Sequence, residues 1–148
     1  MRHILIAHKP NFELSHDDWV FDTGAANLMT ANKNSLVDYV ELTTPLKFGA
    51  AEGGCMLAYG YGKISIQMEY MKVIIKQVYY VLKVVANLIS SQDLFNSSYL
   101  DILQPDGLQR ITNMNSKLAG YAKPEGRLFI IHPQKPKICS AILSDLLY

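Results

Sequence analysis

Short runs of β-branched and aromatic residues, cut by glycine, proline and Asp-Gly signals roughly every 8 to 15 residues, set the tightest limit on this fold. Runs of that length fit strands and are too short for most helices. No helical pattern alternates with them, which argues against a doubly wound sheet. The segment TTPLKFGAAEGGCMLAYGYGKISIQME holds five of the nine glycines, with apolar and aromatic residues between them. SLVDYVEL (35–42) reads as a strand without a clean two-sided pattern, and KVIIKQVYYVLKVV as a β-rich run. NLISSQDLF changes period: Leu88, Ile89, Gln92 and Phe95 fit one helical face, with Asn87 as the expected cap. Asp106-Gly107 predicts a hairpin between two alternating runs, and Pro124-Glu125-Gly126 predicts another. SAILSDLLY reads as a short terminal helix, and residues 1–16 as a loose, polar lead-in. The residues alone thus predict an all-β barrel or sandwich with one short helix.

Composition excludes several functions. With 148 residues the chain is one domain by length. Its 14 basic and 13 acidic residues give a net charge of +1, without the basic excess of a general polyanion binder. Direct nucleic-acid binding is not expected. Cys55 and Cys139 lack CxxC spacing, and the four histidines are scattered, so neither zinc nor a disulfide framework is expected. No cofactor is implied. The opening apolar run is too short for a signal core, and no segment approaches the roughly 20 apolar residues of a membrane span. The expectation is a soluble, intracellular, cytoplasmic protein without a membrane partner.

One stretch carries chemistry. In WVFDTGAANLMT (19–30) an acidic residue follows an apolar run and precedes a tight-turn pair. Gly24 opens backbone angles closed to other residues and admits close approach. The Thr23 hydroxyl can brace the loop. Asp22, after an apolar strand, would be partly desolvated, which favours its protonated form. A lone carboxylate is poor machinery for peptide hydrolysis. Two facing carboxylates about 3 Å apart share one proton and supply an acid and a base together. The triplet occurs once, so a dyad needs a second copy of the chain across a two-fold axis. Taken alone, the triplet reads more simply as a strand end with a turn.

Three segments together carry a resemblance. WVFDTGAANLMT, KFGAAEGGCMLAYGYGKISI and VYYVLKVVANLISSQDL, in that order, resemble the protease-like β-barrel domain of copia-type (TNT-type) retrotransposon polyproteins. The likeness covers roughly residues 17–132, with 133–148 as a linker into a pre-integrase region. It implies a closed, retropepsin-like acid-protease barrel with one short helix, over Asn87 to Leu94, beneath the catalytic loop. Asp22 would be catalytic, supported by Thr23, Gly24 and Ala25. Ala51, Glu52, Gly53 and Gly54 would form a mobile flap over a peptide or polyprotein substrate. The active form would be a homodimer, in the cytoplasm or within transposon-like particles. Four residues depart from the family pattern: Thr23 where serine is frequent, Ala26 and Asn27 where polar residues are usual, and Leu82 where proline is usual.

These departures, and the absence of a zinc knuckle and an integrase core, suggest a fragment or decayed copy. The alternative role is a catalytically inactive structural or interaction barrel. Other features read plainly: Trp19 as a core aromatic, the nine tyrosines as strand surface, Cys55 as a buried or merely tolerated thiol, and His132 as a surface residue.

Overall fold

The computed structural model describes residues 3–4, 14–21, 28–50 and 54–134. Eleven strands and one short α-helix follow each other: β1 (His3–Ile4), β2 (Trp19–Phe21), β3 (Met29–Thr30), β4 (Val37–Ala50), β5 (Cys55–Gln67), β6 (Lys72–Val81), β7 (Asn87–Ile89), α1 (Ser91–Asn96), β8 (Tyr99–Leu103), β9 (Gln109–Asn113), β10 (Leu118–Glu125) and β11 (Leu128–Ile131). The described residues are all-β with one short α-helix, as the turn spacing predicts. The strands join in the order β1-β4-β5-β6-β3-β7-β2-β11-β10-β9-β8. Among the described residues no ladder joins β1 to β8, so the hydrogen-bonded order is open, where a closed barrel was expected.

Strands β2, β7 and β11 lie inside this order and are buried on both faces. Trp19, Phe21, Ile89 and Ile131 enter one core cluster with Leu28, Ile64, Ile66 and Leu94. Val20, Leu88 and Ile130 point the other way, into a second cluster with Met29, Phe48, Ala58 and Val81. That double burial is why WVF, the pair Leu88–Ile89 and LFII are continuously apolar instead of alternating. Each fully buried leucine or isoleucine contributes about 1.5–3 kcal/mol relative to exposure.

The long β4–β5–β6 meander behaves differently. Strand β4 extends the expected 35–42 strand to Ala50. Its register against β5 slips between Val37 and Val40 and again between Glu41 and Leu46. Asp38 takes a positive φ of 55° at the first slip, and Pro45 falls in the second, where a missing N–H leaves no ladder bond unmade. At Gly60 a Cβ would collide with the Tyr39 ring and approach the Val40 carbonyl to 2.6 Å. Glycine is needed there because strand and ring touch.

Both predicted hairpins form. Gly107, at φ 90°, closes the β8–β9 turn with its N–H donating to the Gln104 carbonyl. In β10–β11, Pro124 and Glu125 are still strand, and the turn is the pair Gly126–Arg127, with Gly126 at φ 61°. The helix departs more from expectation. Asn87, Leu88 and Ile89 form a strand, and the cap is Ser90, whose Oγ accepts from Asp93 N. Leu94 is the helix's buried residue and Phe95 is exposed. The apolar pair Leu88–Ile89 fits a buried strand as well as a helical face, and three residues are too few to separate the periods. Within the lead-in, His3 and Ile4 pair in parallel with Gly49 and Ala50. The segment expected as a terminal helix lies outside the described residues. No helix among the described residues is long and apolar enough to cross a membrane.

Candidate functional site

The frame around the Asp-Thr-Gly segment is well defined, while Asp22, Thr23, Gly24, Ala25, Ala26 and Asn27 themselves lie outside the described residues. Strand β2 runs parallel to β7, with Trp19 opposite Asn87 and Phe21 opposite Ile89. Strand β3 runs antiparallel to β7, with Met29 opposite Leu88. The chain therefore leaves β2 on one side of β7 and returns in β3 on the other. Two interstrand spacings separate those sides, roughly 10 Å. Both ends are anchored in apolar core, with Phe21 and Leu28 3% and 2% exposed. Tyr79 N donates to the Leu28 carbonyl at 2.9 Å, fixing the return.

A buried polar network ties these strands together at their other end. Asn87 Nδ2 donates to the carbonyls of His16 (2.7 Å) and Asp18 (2.9 Å). Thr30 Oγ1 donates to Asn87 Oδ1 at 2.7 Å and accepts from Asn32 N at 3.0 Å. The amide orientation follows from chemistry: two carbonyls can only accept, so the NH₂ must face them. Asp18 is likewise engaged. Its Oδ2 accepts from Ser15 N at 3.0 Å, and its Oδ1 meets His132 Nδ1 at 2.9 Å. The second ring nitrogen of His132 pairs with Glu125.

Neither Asn87 nor His132 was assigned this place from sequence. Asn87 was expected to cap a helix and instead opens a strand; the signal that could have found it is a single amide inside the apolar run VVANLI. For His132, expected as a plain surface residue, no local signal exists. The ring is partly exposed, yet it bridges two carboxylates from distant segments.

Two clefts flank this network. One of about 490 Å³ is lined by Asp18, Trp19, Ile64, Ile66, Asn87 and His132, among others. The other, about 510 Å³, is lined by Leu14, Ala31, Val84 and Val85 as well as Asn87. Both open at the start of β2 and β7, away from Phe21 and Ile89, where the chain continues into Asp22. Among the described residues no group of His, Cys, Asp and Glu could hold a metal ion.

The expected flap corresponds to the link between β4 and β5. The ladder closes at Gly49 opposite Cys55. Ala51, Glu52 and Gly53 lie outside the described residues. Gly54 is exposed, and a Cβ there would meet nothing within 4 Å. Cys55 is exposed and free, where a buried thiol was one expectation. At the base of the hairpin, Phe48 is buried, its ring centroid 5.5 Å from that of Tyr79. Trp19 is a core aromatic as expected, 2% exposed.

The family model described as Pol polyprotein, beta-barrel domain, matches residues 19–99, from the first residue of β2 to the first of β8. No curated protein and no solved structure matches the chain.

Proposed function

This chain belongs to the Pol polyprotein β-barrel domain family, and on that premise we propose that it is a retropepsin-like aspartic endopeptidase domain of a copia-type retrotransposon polyprotein. The observation that carries the reading is the position of the Asp22-Thr23-Gly24 triplet. It follows β2, a strand buried on both faces, and precedes a return to the far side of β7. The described residues on either side of the triplet's segment, Phe21 and Leu28, are both held in the core. In the proposed enzyme two copies meet on a two-fold axis and each contributes Asp22. The pair shares one proton: the ionised carboxylate removes a proton from water, and the protonated one donates to the substrate carbonyl oxygen. Thr23, Gly24 and Ala25 brace the loop and lie along the peptide backbone. The β4–β5 link, Ala51 to Gly54, covers the substrate and excludes water. The substrate is a peptide segment of the polyprotein.

Sedimentation equilibrium of the full chain, with a peptide-library cleavage assay at mildly acidic pH, tests this. The expected result is a reversible dimer that cleaves peptides, and an Asp22→Asn variant that stays folded and does not. A strict monomer, or a variant that cleaves like the wild type, overturns the reading in favour of a non-catalytic barrel.

A further inference from the structure

We infer that Asn87 is a positioning residue for the Asp22 segment, an inference that rests on the cleavage reading above. The three strands that frame the segment are each held by this one side chain. Asn87 belongs to β7; its Nδ2 holds the backbone leading into β2 at His16 and Asp18. Its Oδ1 holds β3 through Thr30. Asn87 is 8% exposed and Thr30 is fully buried, so water does not replace these bonds at low cost. Strands β2 and β3 share no ladder with each other. Their spacing and axial offset are therefore set through β7, by the short ladders β2–β7 and β3–β7, while β11 and β6 hold their outer edges. Core burial fixes the register of these strands to the residue; the finer offset within that register needs a directional contact that pins them. The Asn87–Thr30 bond, with the two carbonyl bonds, is such a pin. It acts at one end of the strands, opposite the end at Phe21 and Leu28 from which the chain continues toward Asp22.

Two isosteric substitutions test it. Asn87→Asp replaces the NH₂ donor with an oxygen facing two carbonyls. Thr30→Val removes the hydroxyl and keeps the shape, whereas Thr30→Ser keeps the hydroxyl and loses a buried methyl. On peptide cleavage, Asn87→Asp and Thr30→Val should lower kcat by about 10- to 100-fold with KM within about twofold, the signature of a misplaced reacting group. Thr30→Ser should recover most of kcat although its melting temperature falls as much as that of Thr30→Val. Rates that follow melting temperature instead of the hydroxyl would reduce Asn87 to a structural residue and overturn the inference.

Amide exchange of the full chain carries the test independently of turnover. Asn87→Asp should speed exchange at Val20, Phe21, Met29 and Thr30 about tenfold more than in the β8–β9 hairpin. Uniform acceleration would sink the clamp. An inactive wild type with the selective acceleration would refute the cleavage reading and leave the clamp standing.

Discussion

His132 Nδ1 sits 2.9 Å from Asp18 Oδ1, joining the residue after β11 to the residue before β2 across 114 positions of sequence. Burial of the ring works against its charge, but the hydrogen bonds to Glu125 and Asp18 and the charges of both carboxylates outweigh it. The pKa of His132 is therefore raised above the ordinary 6.5. A raised folded-state pKa means that the folded protein holds the proton more tightly than the unfolded chain. The stabilisation is fully present below the unfolded value and is lost as pH rises through the folded one.

The expected outcome for His132→Gln is a loss of about 1 kcal/mol or less at about pH 5.5, since the ring is partly solvated and screened. The gap from wild type should narrow as pH is raised through neutrality. Urea unfolding of both proteins at several pH values reads this directly. A difference that is constant, or that grows with alkalinity, would contradict the assignment.

Gly60 and Gly54 make a matched pair. A Cβ at Gly60 runs into Tyr39 and the Val40 carbonyl, while one at Gly54 meets nothing within 4 Å. Gly60→Ala should cost about 1–3 kcal/mol, the range of overpacking. Gly54→Ala should stay within about 0.5 kcal/mol, the range of an unconstrained surface change. Equal shifts in urea midpoint would mean that the Tyr39 contact does not dictate glycine.

Ser90 governs the start of α1. Its Oγ accepts from Asp93 N at 3.2 Å and donates to Asp93 Oδ2 at 2.5 Å, and the residue is fully buried. Ser90→Ala should cost about 1 kcal/mol, and Ser90→Thr less, provided the added methyl is accommodated. Thermal unfolding of the two variants checks the cap.

Tyr39 presents the opposite case. Its Oη is buried and finds no partner among the described residues, and burial of the hydroxyl, with the charges of Glu41 and Tyr80, raises its pKa. Removing an unpaired buried hydroxyl relieves a desolvation cost. Tyr39→Phe should therefore leave stability unchanged or raise it by up to about 1 kcal/mol, with the packing against Gly60 and the Lys33 ammonium 4.7 Å from the ring centroid both retained. A clear drop in urea midpoint would show that the hydroxyl has a partner.

What the sequence determined by itself is local. Asp106-Gly107 places a hairpin turn because the positive φ it needs is intrinsic to glycine. The continuous apolar runs around Val20, Leu88 and Ile130 require strands shielded on both faces, whatever shields them. The Asp22 triplet, with the segments that follow it, was legible as a family signature, and the family match from Trp19 to Tyr99 agrees with it at the level of the domain. The tertiary structure decided what depends on distant partners. Asn87 reads as a cap only until its partners are known, and they lie 57, 69 and 71 positions away. His132 looks like surface until Asp18, just before β2, and Glu125, at the end of β10, meet its ring. Nor could turn spacing fix the open strand order. It counts strands and their turns, whereas closure depends on which edges meet, and that is set by nonlocal pairing such as the insertion of β7 between β2 and β3. Local rules act through a residue's own backbone and nearest turns; a buried polar side chain takes its meaning from whatever the fold brings within hydrogen-bonding distance.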